Sequence, residues 1–267
     1  MYQLQYVRAQ SVAHARDFLI ANPDAKLMSG GMTMLPSLKQ RLAQPSHLVD
    51  IGALAELQGI ELKGDRLVVG AGTNHYDVSR SAVVKKAIPA LAHLASQIGD
   101  PQVRNMGTMG GSISNNDPAA DYPSALLALG ATIHTSAREI AADDFFQGMF
   151  ATALDLTEIV TRIAFPIPKR AAYSKFAHPA SGYAMTGVFV ADFGSNIRVA
   201  VTGAGPGVFR WPEAEAALEK NFSAAALANL KVDAEGLNAD IHAPAVYRAN
   251  LVKVMATRAV EAIVAGK

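Results

Sequence analysis

The hydrophobic and polar positions in the first 52 residues predict a small βαβ unit. The alternation from Tyr2 to Tyr6 is typical of a short strand, and Ser11 is placed to cap the helix that follows. A strand, a helix and a strand are expected next, over 26–29, 33–43 and 47–52. Gly30 and Gly31 form the turn between the second strand and the second helix.

The pattern changes after Gly52, which indicates a second subdomain. Alternating apolar residues on both sides of Gly64-Asp65 predict a hairpin, and the apolar spacing over 83–99 predicts a helix. A second glycine pair, Gly110-Gly111, follows. A short helix and two strands are then expected over 122–130, 131–136 and 158–168.

The remainder is predicted to be an α+β module, because strand patterns come first and helical patterns last. The strands are expected over 172–178, 183–193 and 196–205, and the helices over 212–220 and 244–265. Two prolines close the strand before this module and suit a linker. The chain is therefore predicted to have three parts, 1–52, 53–170 and 171–267.

Composition and charge exclude several classes of partner. The chain of 267 residues is 50% hydrophobic, with a formal net charge of +1 from 24 basic and 23 acidic residues. No basic block is typical of a nucleic-acid interface, and no apolar run reaches the roughly 18 to 20 residues that span a bilayer. The first residues lack the apolar segment of a signal peptide, so a cytoplasmic protein is expected.

The chain contains no cysteine. Disulfides, thiolate zinc sites, thiol nucleophiles and cysteine-ligated iron–sulfur clusters are therefore excluded within it, and the seven histidines show no metal-ligand spacing. No metal site is predicted. Any redox chemistry needs a bound organic cofactor.

The two glycine pairs are candidates for phosphate binding. A strand that turns through glycines into a helix leaves backbone N–H groups beside the positive end of the helix dipole, and glycine has no Cβ to keep a phosphate away. Neither loop has the Lys-Ser/Thr ending of a P-loop, and the segment 70–75 lacks the third glycine of a dinucleotide fingerprint. A single such pair is more often only a turn, but two pairs favour a ligand.

Four segments make the chain resemble the FAD-binding medium subunit of the molybdenum hydroxylases, the family of carbon monoxide dehydrogenase and xanthine dehydrogenase flavoproteins. They are "SGGMTMLPSLKQRLAQPSHLVDI", "IGDPQVRNMGTMGGSISNNDPAADYPSALLALGA", "YSKFAHPASGYAM" and "VAVTGAGPGVFRWPEAEAAL". The second is the most specific. Together they extend the resemblance over essentially the whole chain.

The resemblance implies a fold, a cofactor and partners. The fold is a two-subdomain FAD-binding fold of the vanillyl-alcohol oxidase or molybdenum hydroxylase flavoprotein type, with a C-terminal α+β domain. The chain is expected to take electrons from an iron–sulfur small subunit and pass them to an external acceptor. A molybdopterin large subunit would oxidise the substrate, in a dimer of heterotrimers. No residue of this chain is assigned a catalytic role.

The resemblance also implies the cofactor-binding residues. The two glycine loops would hold the FAD pyrophosphate from two subdomains, with Thr73 on the flavin side. The residues concerned are Ser29, Gly30, Gly31, Met32, Thr33, Thr108, Gly110, Gly111 and Ser112. Met32 and Met106 stand where relatives usually carry polar residues, which matters only if the side chain rather than the backbone contacts the cofactor.

Four further residues have competing interpretations. Asp121 is expected to bind the adenosine ribose, or to cap the helix after it. Tyr183 is expected against the isoalloxazine, or in the core, and Lys175 near the flavin, or solvated on a strand. Asn116 either contacts the phosphates and ribose or belongs to an Asx turn. His75, in the same segment as Thr73, either lines the flavin side of the second subdomain or is a solvated loop histidine.

Two other functions remain open at this point. A free-standing FAD-dependent oxidase of the vanillyl-alcohol type would bind its own organic substrate and reduce its flavin unaided. A non-catalytic nucleotide-binding protein would use the glycine loops for ADP, or only as turns. The colour of the purified protein and its reduction by substrate distinguish the three.

Overall fold

The first subdomain is a three-stranded parallel sheet, in the order β1-β3-β2, with two helices. This computed structural model describes residues 1–266, so Lys267, in the predicted third part, lies outside the described residues. The elements are β1 (Gln5–Arg8), α1 (Val12–Ala21), β2 (Lys26–Met28), α2 (Met34–Lys39) and β3 (His47–Asp50). The Ser11 hydroxyl accepts a hydrogen bond from the His14 N–H, which confirms the predicted cap.

Two boundaries predicted in this region were wrong. Strand β1 begins at Gln5 rather than Tyr2, because pairing with β3 begins there, and Tyr2 and Tyr6 are both exposed. Helix α2 ends at Lys39 rather than near residue 43. Arg41 has a positive φ of 60°, which a helix cannot include.

The second subdomain is a five-stranded antiparallel sheet in the order β4-β5-β10-β6-β7. Its strands are β4 (Ile60–Lys63), β5 (Arg66–Gly70), β6 (Thr132–Thr135), β7 (Glu139–Ala141) and β10 (Val160–Pro166). Gly64, at φ +61°, forms the predicted hairpin turn. A small hairpin of β8 (Phe146–Gly148) and β9 (Ala151–Thr152) stands apart from the sheet.

Seven helices belong to this region of the described chain. They are α3 (His75–Arg80), α4 (Ala82–Ala87), α5 (Pro89–Ser96), α6 (Pro101–Met106), α7 (Met109–Asn115), α8 (Tyr122–Leu129) and α9 (Ala142–Phe145). The single helix predicted over 83–99 is therefore two. Ile88 has φ −140° and ψ 77° because Pro89 disfavours the helical conformation of the residue before it.

The third sheet is antiparallel, in the order β11-β12-β13-β14, and both of its faces are covered. The elements are β11 (Arg170–Ala177), β12 (Ala184–Asp192), β13 (Ile197–Thr202), β14 (Phe209–Arg210), α10 (Pro212–Lys220) and α11 (Ala245–Val264). Val188 and Val190 pack in the core with α11, while Phe189 and Ala191 belong to the core of the second subdomain. Every residue of β12 is consequently buried.

The predicted α+β class is confirmed, and each of the three predicted parts contains one main sheet. The boundaries near 53 and 170 stay a prediction, since the second and third parts share a core. Two 3-10 turns, Ala55–Leu57 and Ala224–Leu227, complete the elements. Among residues 1–266, no helix combines the length and the hydrophobicity needed to cross a bilayer.

Candidate functional site

A cleft of about 630 Å³ lies where the three parts of the chain meet. This volume is in the range of roughly 300 to 1,000 Å³ that small-molecule sites occupy. The loop after β2 forms one wall, the start of α7 forms another, and the loop before β12 contributes Ser181, Gly182 and Tyr183. Of the fourteen predicted site residues, only Thr73, Asn116 and Lys175 do not line this cleft.

The first glycine of each pair allows a close approach to another backbone segment. A Cβ on Gly30 would overlap the carbonyl oxygen of Met106, and a Cβ on Gly110 would lie 2.6 Å from the Cβ of Ala71. The Thr108 hydroxyl also donates to the Ser29 hydroxyl, at 3.1 Å. At Gly30 and Gly110 the place of a side chain is therefore taken by another segment of the chain, while both residues also line the cleft.

The first loop lines the cleft and has unpaired backbone N–H groups. Among the described residues, the N–H groups of Gly30, Gly31, Met32 and Thr33 have no acceptor. Gly31 has φ +72°, the left-handed conformation that turns successive N–H groups toward one point. The loop therefore has the donor arrangement of an anion site, and Met32 contributes its backbone to it.

The second loop does not offer the free N–H groups expected of it. Met109 N–H donates to the Thr73 carbonyl at 3.0 Å, Gly110 N–H to the Ala71 carbonyl at 2.8 Å, and Gly111 N–H to the Thr108 hydroxyl at 3.2 Å. What faces the cleft is the exposed Gly111, with Ser112 beside it. The first turn of α7 therefore lines the cleft, but its backbone N–H groups already have acceptors within the chain.

Asp121, which lines the cleft, belongs to a buried ion pair. Lys175 Nζ is 2.9 Å from Asp121 Oδ1 and also donates to the Gln97 carbonyl at 3.1 Å. The Tyr173 hydroxyl donates to Asp121 at 2.6 Å. Burial raises the pKa of the Asp121 carboxyl above its ordinary value, and the Lys175 ammonium acts in the opposite direction.

The structure excludes one of the two interpretations given for Asp121 and one of the two given for Lys175. Asp121 makes no side-chain cap to α8, and Lys175 is buried rather than solvated. An extended FAD places its ribose and its isoalloxazine far apart. The two side chains touch, so the roles predicted for them, one at the ribose and one at the flavin, would have to meet at a single place.

Tyr183 lies at the rim of the cleft and is half-exposed. The alternative interpretation, that Tyr183 lies in the core, was therefore wrong. Partial burial raises the pKa of its hydroxyl, and the carboxylates of Asp117 and Asp121 add to that increase. The ring is available to pack against a planar ligand from the side of the C-terminal part.

Two predicted residues have structural partners instead. The amide nitrogen of Asn116 donates to the carbonyls of Gly148 and Ala151, both at 2.7 Å, so it ties the β8-β9 hairpin to the end of α7. The Thr73 hydroxyl donates to the Gly59 carbonyl at 3.1 Å. Both are buried, and neither side chain reaches the cleft.

Sequence reasoning missed Tyr173, and of its two interpretations of His75 the solvated one was wrong, because His75 is buried and lines the cleft. Tyr173 is two residues before Lys175 on β11, and the two-residue period of a strand places both on one face, so this signal was available. His75 is 4% exposed rather than solvated, with its ring centroid 5.3 Å from that of Tyr122. Burial lowers the pKa of His75 to about 4, and Arg104 contributes in the same direction.

Comparison with known proteins adds a family and several relatives. Residues 2–168 match the family described as the FAD binding domain in molybdopterin dehydrogenase. The chain is 39% identical over 195 residues to the glyceraldehyde dehydrogenase medium chain of Sulfolobus acidocaldarius, a match that covers 71% of this chain and 69% of that one. It is 34% identical to the nicotine 6-hydroxylase medium subunit of Paenarthrobacter nicotinovorans, over 96% of both chains.

A solved structure has the same fold over nearly the whole chain. It is carbon monoxide dehydrogenase from Hydrogenophaga pseudoflava, in a form that lacks the Mo-pyranopterin moiety of its molybdenum cofactor. The TM-score is 0.87 at 34% sequence identity, and the match covers 99% of this chain and 98% of that one.

The contact between the glycine loops predicts unequal effects of two glycine substitutions. Gly30→Ala should lower the free energy of unfolding by about 1–3 kcal/mol or more and reduce bound FAD, because the added methyl group forces two backbone segments apart. Gly207→Ala is the matched control, since a Cβ there meets its nearest atom at 3.6 Å. Urea unfolding and flavin absorbance after desalting measure both effects. A Gly30→Ala chain as stable as the control would contradict this account.

The buried His75 predicts a loss of stability in mild acid. Its pKa of about 4 in the folded chain lies below the ordinary 6.5, so the unfolded chain takes up the proton first as the pH falls. Stability from this residue is complete above pH 6.5 and decreases as the pH falls toward 4, by about 2 kcal/mol at pH 5.

The check is urea unfolding of the wild type and of His75→Gln at pH 7 and pH 5, at one FAD concentration, because a ligand of the folded state adds stability. The wild type should lose more than the variant between the two values. His93→Gln, at an exposed position, should behave like the wild type. An identical pH response in His75→Gln and wild type would argue against the neutral, buried imidazole.

Proposed function

This chain belongs to the family of FAD-binding domains of the molybdopterin dehydrogenases, and we propose that it takes electrons from an iron–sulfur subunit and passes them to an external acceptor. The family match confirms the predicted FAD cofactor and the predicted oxidoreductase class. The chain is an FAD-binding subunit of the molybdenum hydroxylase family. The direction of electron flow and the partners are the proposal.

The free N–H groups of the first loop are the observation on which the proposal depends. They fit a doubly charged pyrophosphate, which needs several donors at one point and no intervening Cβ. The exposed Gly111 and the Ser112 hydroxyl would face the same phosphates from the second subdomain. The pyrophosphate therefore takes the middle of the cleft, and the two ends of the cofactor extend to either side.

We place the isoalloxazine at the end that holds Tyr183 and the Asp121–Lys175 pair. These groups belong together, because the Lys175 ammonium contacts Asp121, and Asp121 and Tyr183 both line the cleft. The adenosine then lies toward Lys26, Leu27 and Ser37, which the first subdomain contributes to the cleft. In this arrangement Asp121 serves the flavin rather than the ribose.

Bound FAD supplies two-electron chemistry that can be entered one electron at a time. The chain's own residues position and insulate it. Asp121 lines the cleft, and the buried Lys175 contacts it from behind as its counter-ion. Tyr183 provides an aromatic face at the rim, which covers one side and leaves the rest of the cleft mouth to an acceptor.

An electron donor on another chain is part of the proposal. With no cysteine, this chain cannot ligate an iron–sulfur cluster through thiolates. Among residues 1–266, no group of three or more histidine, aspartate or glutamate side chains is arranged to hold a metal ion. We therefore propose an iron–sulfur small subunit as the electron donor and a molybdopterin large subunit as the site of substrate oxidation. A cytoplasmic dimer of heterotrimers is the proposed assembly.

This division of labour predicts that the flavin of the isolated chain is not reduced by organic substrates. Aldehydes, purines and nicotine should leave the flavin absorbance near 450 nm unchanged for minutes under anaerobic conditions, while dithionite bleaches it. Adding co-purified iron–sulfur and molybdopterin subunits with their substrate should then reduce it. Rapid reduction of the isolated chain by an organic substrate would favour the free-standing oxidase, and a chain without flavin would favour the nucleotide-binding alternative.

Removal of the Tyr183 ring should change the flavin without releasing it. Tyr183→Ala should retain FAD, because the phosphates are held elsewhere, but should shift the visible bands and change the rate of reoxidation by oxygen. Tyr183→Phe keeps the ring and should stay close to the wild type. A Tyr183→Ala chain with an unchanged spectrum and reoxidation rate would remove Tyr183 from the flavin site.

A further inference from the structure

The segment 178–183, here called the rim loop, joins β11 to β12 and carries three residues of the cleft. Its ends are closed by two backbone hydrogen bonds, from His178 N–H to the Tyr183 carbonyl at 2.8 Å and from Gly182 N–H to the His178 carbonyl at 2.9 Å. Gly182 has φ +71°, a conformation that favours glycine. The rim loop therefore returns on itself just before the Tyr183 side chain enters the cleft.

The imidazole of His178 fills the inside of this turn. Its Nδ1 accepts hydrogen bonds from the Ala180 N–H at 3.2 Å and the Ser181 N–H at 3.3 Å. A ring nitrogen that accepts carries no proton, so in the neutral imidazole the proton is on Nε2. That Nε2 lies 3.3 Å from His242 Nδ1 and donates to it.

His242 is itself fixed to the third sheet. The backbone N–H of His242 donates to the Asp240 carboxylate at 2.9 Å, and Asp240 forms an ion pair with Arg248 at 2.6 Å. Arg248 is 5% exposed and donates to the Met185 carbonyl at 2.7 Å. The chain of hydrogen bonds that starts at the rim loop thus ends at Met185 on β12, two residues after Tyr183.

We propose that His178 is the positioning residue of Tyr183: its Nδ1 holds the rim loop in the turn that presents the tyrosine ring to the flavin. This inference rests on the proposed function only where it assumes that Tyr183 faces the flavin. This tautomer also excludes a metal ion that bridges His178 and His242. To bind a metal, Nε2 of His178 would have to lose its proton while Nδ1 of the same ring accepts two N–H groups. The histidine pair is a hydrogen-bonded support for the rim loop.

Two nearly isosteric substitutions isolate the acceptor. In His178→Asn the side-chain oxygen occupies the place of Nδ1 and can accept the same two N–H groups. In His178→Leu the new side chain has a similar shape but no acceptor. Hydrogen exchange of the Ala180 and Ser181 amides, measured on the full chain, should become about five- to tenfold faster in His178→Leu and stay near the wild type in His178→Asn. This measurement does not depend on the flavin.

A double-mutant comparison tests whether the effect reaches the flavin through Tyr183. In the FAD-bound chain, His178→Leu should shift the flavin bands and change the reoxidation rate by about five- to tenfold, and His178→Asn should restore both. In a Tyr183→Ala background the same His178→Leu change should have no further effect.

The outcomes separate the inference from the proposed function. Unchanged amide exchange in His178→Leu would overturn the role of His178 in the rim loop. Faster exchange with an unchanged flavin spectrum would overturn its role toward the flavin. A His178→Leu effect that persists in full without the Tyr183 ring would overturn the positioning of Tyr183. Absence of flavin from the wild-type chain would instead remove the proposed function and leave the exchange result standing.

Discussion

The contact between two backbone segments, Gly30 on one side and Met106 on the other, is the constraint on which the cleft depends. No side chain fits between them, so the first subdomain can dock on the second at only one distance. That docking leaves the N–H groups of residues 30–33 facing a cleft instead of another strand. The same glycine that permits the contact thus also keeps the neighbouring donors free for an anion, although Gly30 itself touches protein.

The part of the cleft wall that contains Asp121 is stabilised by a different kind of interaction. Asp121, Lys175 and Tyr173 satisfy one another in a place that water does not reach, and removing one member of such a pair typically costs about 3–5 kcal/mol. Because Asp121 precedes α8 and Lys175 is on β11, the pair also joins the second part of the chain to the third. One buried contact thus sets the charge beside the cleft and also holds two parts of the chain together.

The sequence predicted the fold class and most elements, because caps, turns and hydrophobic periods are local signals. Ser11 and Gly64 are examples, and both have the predicted roles. It predicted eleven residues of the cleft through the family resemblance. It did not predict which glycines touch protein, that Asn116 fastens a hairpin, or that Lys175 reaches Asp121, since each depends on segments brought together only by folding. The split at Ile88 is different, because the following proline was a local signal for it.

The shared core between the second and third parts bears on where this protein can be divided. The family match ends at residue 168, yet Tyr173, Lys175 and Tyr183 all come after it. A fragment ending there would expose the apolar face on which Phe189 and Ala191 pack, and would leave Asp121 without its counter-ion. The unit that can be transplanted, fused or exchanged between relatives therefore includes the C-terminal sheet. Modular engineering of this flavoprotein has to respect the buried face of β12 rather than the boundary of the sequence family.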